Sequence, residues 1–249
     1  MSAVLLHDGL YFLLTFALAT LFAMGGVGSA IALVPTLSML GLPLNLAKSI
    51  GLFVNSSSTI TASIMNFRRG VLDIRFTVPL VIAVVLATPV GAWLSRYVPE
   101  HIVQWVLAIF LLVSAGLLLF NKREAKVAYD RTWVMLLLGA AVGLVSGLIG
   151  VGGGTPILAV LTLLGFDPKK AAYAVSFVIP FSTLSGFFTY LSFVHMDWVL
   201  LGVVTVAAIL GGYLGGRIMH YRLNAAQVKK LIAVLLLLLA AKMIWSLLA

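Results

Sequence analysis

Five glycines and one proline lie within ten residues of this chain, in the segment GLIGVGGGTP that runs from Gly147 to Pro156. In soluble nucleotide-binding proteins, glycine-rich runs cradle phosphate groups where a strand passes into a helix. This run lacks that strand–loop–helix setting, because the residues around it are mostly Leu, Val, Ala and Ile. Consecutive glycines followed by a proline interrupt a helix. The segment therefore predicts a broken helix.

A helix that restarts after such a break could bind a small anion. The backbone N–H groups of its first turn have no partner within the helix, and the helix dipole places partial positive charge there. A weaker break of the same kind is predicted at GGVGSA, from Gly25 to Ala30. The glycine pattern predicts an anion site formed by the two breaks, with these candidate residues: Gly26, Gly28, Ser29, Gly150, Gly152, Gly153, Gly154 and Thr155.

Two polar tracts follow the breaks, each within an otherwise apolar helix. One begins at Asn55 and continues through Thr59, and the other surrounds Pro180. Serine and threonine can bond to carbonyls of their own helix, but the first tract covers every face of it, so some side chains must meet a cavity or a neighbouring helix. Both interpretations stay open, and a substrate path lined by these side chains is favoured over hydrogen bonding between helices. The substrate-binding candidates in the tracts are Asn55, Ser56, Ser57, Thr59, Ser182 and Thr183.

The ionisable residues do not form a catalytic or metal-binding set. All seven carboxylates and all four histidines fall in loops or at helix ends, where Asp73 and Asp197 are predicted N-caps. We therefore expect no enzyme activity, no cofactor and no metal site. Lys48 lies near the start of a helix, where it would either snorkel to the membrane interface or attract an anion at the exit of its path.

The composition requires a membrane. The chain has 249 residues, of which 62% are hydrophobic and 9% charged, and its mean hydropathy is +1.17. A soluble domain averages about 25% charged residues. Long apolar stretches recur throughout, which indicates an all-α polytopic membrane protein. The formal charge of +9 is spread over short loops and therefore does not indicate a nucleic-acid partner.

The chain is two copies of one unit. A shift of 124 residues, without gaps, brings Gly26 onto Gly150 and Asp73 onto Asp197. The predicted organisation is a first repeat over 1–120, a cytoplasmic linker over 121–131 and a second repeat over 132–249, all within one transmembrane domain. Each repeat holds five apolar pieces, at 9–25, 29–40, 44–66, 74–97 and 101–120, and at 132–149, 154–164, 168–193, 197–217 and 226–248.

The second piece of each copy is too short to cross a membrane, at about 17 Å of helix against about 30 Å of hydrocarbon. We interpret it as a half-helix, either re-entrant or part of a broken helix. An odd number of pieces predicts that the copies are inverted. Thirteen of the sixteen basic residues then lie in four loops on one side, which predicts a cell-membrane protein, of the plasma or inner membrane, with both termini on the non-cytoplasmic side.

With the repeat in view, the chain resembles the sulfite exporter TauE/SafE family over nearly its whole length. The resemblance is carried by Gly26-Val-Gly28 with Val34-Pro35-Thr-Leu37, by Gly150-Val-Gly-Gly-Gly154, and by GAWLSRYVPEHIVQWVLAIFLLVSAGLLL from Gly91 onwards. It implies transport of small sulfur-containing anions such as sulfite, sulfonates or sulfoacetate.

The sequence thus predicts a secondary transporter of a small anion, with the substrate near the midplane where the breaks meet. Coupling through a buried carboxylate is disfavoured, because no acidic residue lies deep within an apolar piece. A passive anion channel is the main alternative. A membrane-embedded assembly factor or enzyme is disfavoured, because the serines and histidines supply no base or ligand set at useful spacing. The expected partners are the small-molecule anion and the lipid bilayer.

Overall fold

The computed structural model describes residues 2–24, 28–68, 70, 74–120, 131–221 and 225–248, and every regular element in these ranges is an α-helix. In chain order the helices are α1 (Ser2–Met24), α2 (Ala30–Met39), α3 (Leu44–Arg68), α4 (Ile74–Leu94), α5 (Glu100–Phe120), α6 (Thr132–Ile149), α7 (Gly154–Leu163), α8 (Pro168–Leu191), α9 (Trp198–Tyr221) and α10 (Ala225–Leu248).

Each of the ten predicted apolar pieces is a helix, and the prediction of an all-α polytopic membrane protein is confirmed. Six helices of the described residues are long and apolar enough to cross a membrane, namely α4, α5, α6, α8, α9 and α10. Helix α3 has 25 residues, but its polar tract interrupts the apolar run. The largest difference in bounds is at α1, which begins at Ser2, ahead of the predicted start at residue 9.

The two short helices, α2 and α7, have ten residues each, or about 15 Å of helix. Both end in the same way, at a glycine with a left-handed backbone: φ is +95° at Gly41 and +102° at Gly165. In each case the N–H of the residue after the glycine bonds to the carbonyl five residues back, at 3.2 Å and 3.0 Å respectively. This glycine C-cap stops both helices well short of a full span.

Each long helix packs against a helix from the other half of the chain. Helix α1 packs on α9, and α6 packs on α4. Helix α3 packs on α8, α5 packs on α10, and the short helices α2 and α7 lie on α3 and α8. Replacing each helix by its counterpart in the other half reproduces the same set of pairs. This is the pattern that a two-fold relation between the copies would give.

Glycines allow the α1–α9 and α4–α6 pairs to approach closely. A Cβ atom on Gly147 would overlap the backbone of α4 at Thr88, and one on Gly215 would overlap the backbone of α1 at Thr20. The regularly spaced glycines of α6 and α9 thus allow close helix packing. The glycines concerned are Gly139, Gly143, Gly147, Gly211 and Gly215.

Helices α3 and α8 run antiparallel, although they are equivalent members of the two copies. The rings of Phe53 and Phe187 lie 4.7 Å apart between centroids, and those of Phe67 and Phe177 lie 6.1 Å apart. Residue numbers therefore rise along α3 while they fall along α8. An inverted repeat requires antiparallel counterparts, whereas the orientation of the copies in a membrane stays a prediction.

Candidate functional site

The second glycine run is a helix break, as predicted. Helix α6 ends at Ile149, and Gly150 adopts a left-handed backbone with a φ of +73°. The carbonyl of Ser146 accepts the N–H groups of both Gly150 and Val151, at 2.9 Å and 3.1 Å. Helix α7 then begins at Gly154. The chain thus leaves one helix and starts another within four residues.

The first break lies between the end of α1 at Met24 and the start of α2 at Ala30. The predicted site residue Gly26 lies outside the described residues. Gly28 and Ser29 are described and buried, and Ser29 precedes the first turn of α2 without a side-chain capping bond.

The two breaks meet at one side chain of α3. A Cβ atom on Gly28 would overlap the Oδ1 atom of Asn55, and a Cβ atom on Gly152 would overlap the Nδ2 atom of the same amide. The Cγ2 atom of Thr183, on α8, also approaches the Gly152 position, at 2.9 Å from a Cβ built there. Only glycine permits this approach at either break. Asn55 is therefore in contact with both halves of the chain.

The amide of Asn55 is buried without hydrogen-bond partners. Its exposed fraction is 0%, and both Oδ1 and Nδ2 are unpaired. The hydroxyl of Ser29, beside Gly28, is also buried and unpaired. Most buried polar side chains in folded proteins have a partner, so each exception requires an explanation. These two lie where the breaks converge, and the other buried, unpaired hydroxyls of the described residues are those of Thr15, Ser49, Ser114 and Thr205.

The other members of the polar tracts are bonded. The hydroxyls of Ser57 and Thr59 donate to carbonyls of their own helix, at 3.0 Å and 2.7 Å. Ser56 and Thr183 share a hydrogen bond of 2.6 Å between α3 and α8, and Ser182 shares one of 3.0 Å with Thr88 on α4. Of the two readings left open for these tracts, hydrogen bonding within and between helices is the one observed for these hydroxyls.

The remaining glycine candidates lie away from Asn55. Gly153 faces Val142 of α6, and Gly154 faces Ile179 of α8, so aliphatic side chains fill the space beside both. Thr155 is buried in the first turn of α7. The structure thus brings five predicted residues together at the junction of the breaks: Gly28, Asn55, Ser56, Gly152 and Thr183.

Lys48 does not reach the surface, and the prediction that it snorkels is wrong. Its exposed fraction is 0%. The Nζ atom donates to Ser95 Oγ at 2.7 Å and to Asn45 Oδ1 at 3.1 Å. The start of α3 is covered by the second break, because a Cβ atom on Gly150 would overlap the side chain of Lys48. A lysine so covered has no route to the interface.

The residues around Lys48 were missed by the sequence analysis. Ser95 is 47 residues away and follows the end of α4. Tyr190 lies with its ring centre 5.9 Å from Nζ, and its hydroxyl donates to the carbonyl of Gly147 at 2.9 Å. Of these residues, only Asn45 could have been predicted from the sequence to lie beside Lys48, because residues three apart on a helix are neighbours.

The carboxylates whose side chains the structure describes are at the surface. Glu100, Asp167 and Asp197 are all exposed. The Oδ1 atom of Asp197 accepts the N–H groups of Val199 and Leu200, at 3.1 Å and 3.0 Å, which confirms its predicted role as an N-cap. The corresponding prediction for Asp73 lies outside the described residues.

One known protein family matches most of the chain. The family model for the sulfite exporter TauE/SafE family matches residues 11–243. The chain belongs to this family. The match includes both breaks, both polar tracts and Lys48, so the site described above lies wholly within the family's common region.

Curated relatives of this TauE/SafE protein are named as transporters. A probable membrane transporter protein of Haemophilus influenzae is 27% identical over 246 residues, covering 92% of this chain and 95% of the relative. The probable membrane transporter protein YdhB of Bacillus subtilis is 25% identical, covering 78% and 81%. The probable membrane transporter protein MJ0441 of Methanocaldococcus jannaschii is 23% identical, covering 71% and 70%. No solved structure gives a significant match.

Family membership and the six candidate spans establish the general class of this TauE/SafE chain. It is a multi-pass membrane protein of a transporter family. Its relatives are named as transporters, in agreement with the prediction that the chain is not an enzyme. None of the names quoted specifies a substrate.

Proposed function

We propose that this protein moves a small anion of the sulfite, sulfonate or related sulfur-oxyanion class across the membrane, through a site between the two helix breaks. One observation carries the proposal: the buried, unpaired amide of Asn55 touches Gly28 of one break and Gly152 of the other. An unpaired buried polar group costs about 1–3 kcal/mol. A ligand that forms the missing hydrogen bonds recovers this free energy, so the junction favours an occupant.

The charge of Lys48 supports an anion as that occupant. Its two hydrogen-bond acceptors are neutral, and among the described residues no carboxylate bonds to it. Glu100 lies exposed at the start of α5. Lys48 and Asn55 are seven residues apart on α3, about 10 Å along the helix. At an effective dielectric constant of about 20, a protonated Lys48 would attract a monoanion beside Asn55 by about 1.7 kcal/mol.

Backbone donors support the same sign of charge. Helix α2 begins at Ala30, immediately after Gly28 and Ser29. The first turn of a helix has N–H groups without partners in the helix, and the positive end of its dipole lies there. In this arrangement Gly28 brings the start of α2 to the amide of Asn55. Ser29 adds a hydroxyl that is itself unpaired.

The antiparallel pairing of α3 and α8 supports an inverted repeat as the basis of transport. In inverted-repeat transporters, one bundle rocks against the other around a site at the midplane. The pair α3–α8 contributes Asn55 and Thr183 to the junction, one from each copy. Movement between the copies would therefore open the junction first to one side and then to the other. We place the protein in the cell membrane, with both termini on the non-cytoplasmic side.

Flux in proteoliposomes tests the proposal. We expect purified protein to release radiolabelled sulfite or a labelled alkanesulfonate faster than protein-free vesicles do. An interior-negative potential should accelerate efflux, because it favours outward anion movement by about 2.3 kcal/mol per charge per 100 mV. Saturation and stimulation by unlabelled substrate on the opposite side would identify a carrier, whereas their absence would identify a channel. No flux above empty vesicles for any of these anions would reject the substrate class.

A further inference from the structure

The two ends of the Asn55 amide differ in hydrogen-bonding capacity. The carbonyl oxygen can only accept hydrogen bonds, while the nitrogen donates two. The oxygen faces Gly28 and the nitrogen faces Gly152, and neither has a partner. Rotating the side-chain amide by 180° exchanges the positions of its oxygen and nitrogen. One position would still need a hydrogen-bond donor and the other an acceptor. A ligand that satisfies the whole amide must accept one hydrogen bond and donate another.

The hydroxyls of Ser56 and Thr183 cannot supply the missing donor. Ser56 is in bonding contact with the carbonyl of Leu52 at 3.0 Å, and Thr183 with that of Ile179 at 2.8 Å. The two hydroxyls also share their 2.6 Å hydrogen bond. Two hydroxyl protons thus serve three contacts, and none is left over for Asn55. Neither the hydroxyl of Ser29 nor a backbone N–H at the start of α2 donates to the Asn55 oxygen in the structure, which leaves the substrate to supply the donor.

A fully deprotonated oxyanion does not meet this requirement. All of its outer atoms are acceptors, so it can pair with the amide nitrogen but not with the amide oxygen. The oxygen would stay buried and unpaired, and its partial negative charge would face the anion. An anion that also carries an O–H or N–H group satisfies both ends.

We propose that Asn55 is a specificity-determining residue that selects anions with a hydrogen-bond donor of their own. This inference rests on the anion site proposed above. The chemistry is a singly charged oxyanion bearing an O–H or N–H group. Two sources provide it: the singly protonated form of a dibasic oxyanion, and a sulfonate with a hydroxyl group on its carbon chain.

A matched pair of sulfonates tests the requirement. Ethanesulfonate and 2-hydroxyethanesulfonate have the same charge and the same anionic group, and they differ by one hydroxyl. Each is used as a competitor of labelled sulfite flux in proteoliposomes containing the full chain. We expect the hydroxylated compound to compete about tenfold or more better, because a site that pairs with a hydroxyl discriminates strongly against an analogue lacking it. Equal competition would overturn the inference, while sulfite flux itself would leave the anion-transport proposal standing.

Substitution at Asn55 locates the effect. In Asn55→Leu, which has a similar volume but no polar atoms, the preference for the hydroxylated competitor should fall to nearly onefold. Ser185→Ala is the matched control, because the Ser185 hydroxyl bonds only to the carbonyl of Ser182 on its own helix. It should keep the wild-type preference. An unchanged preference in Asn55→Leu would overturn the assignment to Asn55, and if that variant does not fold, the wild-type comparison still decides whether the donor is required.

The pH dependence of sulfite flux distinguishes the two sources. It also tests whether a hydrogen-bond donor is required if neither sulfonate competes. If the singly protonated oxyanion is the substrate, flux at fixed total sulfite should fall about tenfold for each pH unit above the pH at which that form loses its proton. Flux that instead rises with the fully deprotonated form would overturn the inference. Absence of flux at every pH would reject the transport proposal itself, so the two failures are distinguishable.

Discussion

Helices α3 and α8 occupy equivalent places in the two copies, yet among the described side chains only α3 carries a buried lysine and a buried, unpaired amide. The shift of 124 residues brings Asn55 onto Ile179 and Lys48 onto Ala172. Asn55 presents an unpaired amide to the breaks, whereas Ile179 presents an aliphatic side chain to Gly154. The two copies thus share a backbone plan and differ in chemistry.

This difference suggests how a repeated fold can provide one site. Repetition of the backbone brings two breaks to the same region, since each copy supplies one. A polar group on both α3 and α8 would create two competing sites, or one site with twice the buried polar cost. With an amide on α3 alone, the second copy contributes close backbone at Gly152 and the hydroxyl and methyl groups of Thr183.

The largest expected effect concerns the orientation of the two copies. The chain has no cysteine, so single cysteines can be introduced without background. Arg68 and Ser192 are exposed and equivalent under the repeat shift. If the copies are inverted, Arg68→Cys and Ser192→Cys will react with a membrane-impermeant thiol reagent from opposite sides of the membrane. Labelling of both from the same side would contradict the inverted repeat.

The next effect is loss of transport when the junction is filled. In Gly152→Ala the new methyl group would overlap Nδ2 of Asn55 and crowd Thr183. We expect the initial rate of anion efflux to fall about a hundredfold, because overpacking by about 1–3 kcal/mol is concentrated at the proposed site. Gly202→Ala is the control, since a Cβ atom there meets nothing within 4 Å. Retention of more than half of the wild-type rate by a monodisperse Gly152→Ala protein would remove this contact from the mechanism.

A smaller effect is expected from the charge that distinguishes α3. Lys48→Met should raise the KM for anion flux nearly twentyfold, from the loss of about 1.7 kcal/mol of attraction. The variant should fold, because Ser95 and Asn45 also bond to each other, at 3.2 Å. Lys242→Met, at an exposed position on α10, removes a charge elsewhere and should leave the KM unchanged. An equal KM in both variants would show that Lys48 does not act on the anion.

Local patterns were enough to predict the helices. Apolar runs and glycine clusters act within one or two turns of a helix, and the structure confirms the helices and the break that they indicated. The helix break at Gly150 was predictable for the same reason, because a glycine cluster limits the backbone wherever it occurs.

The composition of the site could not be predicted in this way. Which of the candidate residues meet depends on contacts between segments about a hundred residues apart, such as Asn55 with Gly152. The burial of Lys48 likewise depends on Ser95 and on the second break, neither of which is close in sequence. The partners of the Ser57 and Thr59 hydroxyls could be predicted from the sequence, because they are carbonyls four residues earlier on the same helix.

The exchange of helix pairs between the copies also bears on how the protein is made. Helix α1 finds its glycine-lined partner in α9, and α4 finds its partner in α6. During synthesis α1 therefore enters the membrane long before the surface that will cover it exists, and the first five helices cannot complete their packing alone. Assembly must wait for the second copy. A single repeat is therefore a unit of sequence but not a unit that folds on its own.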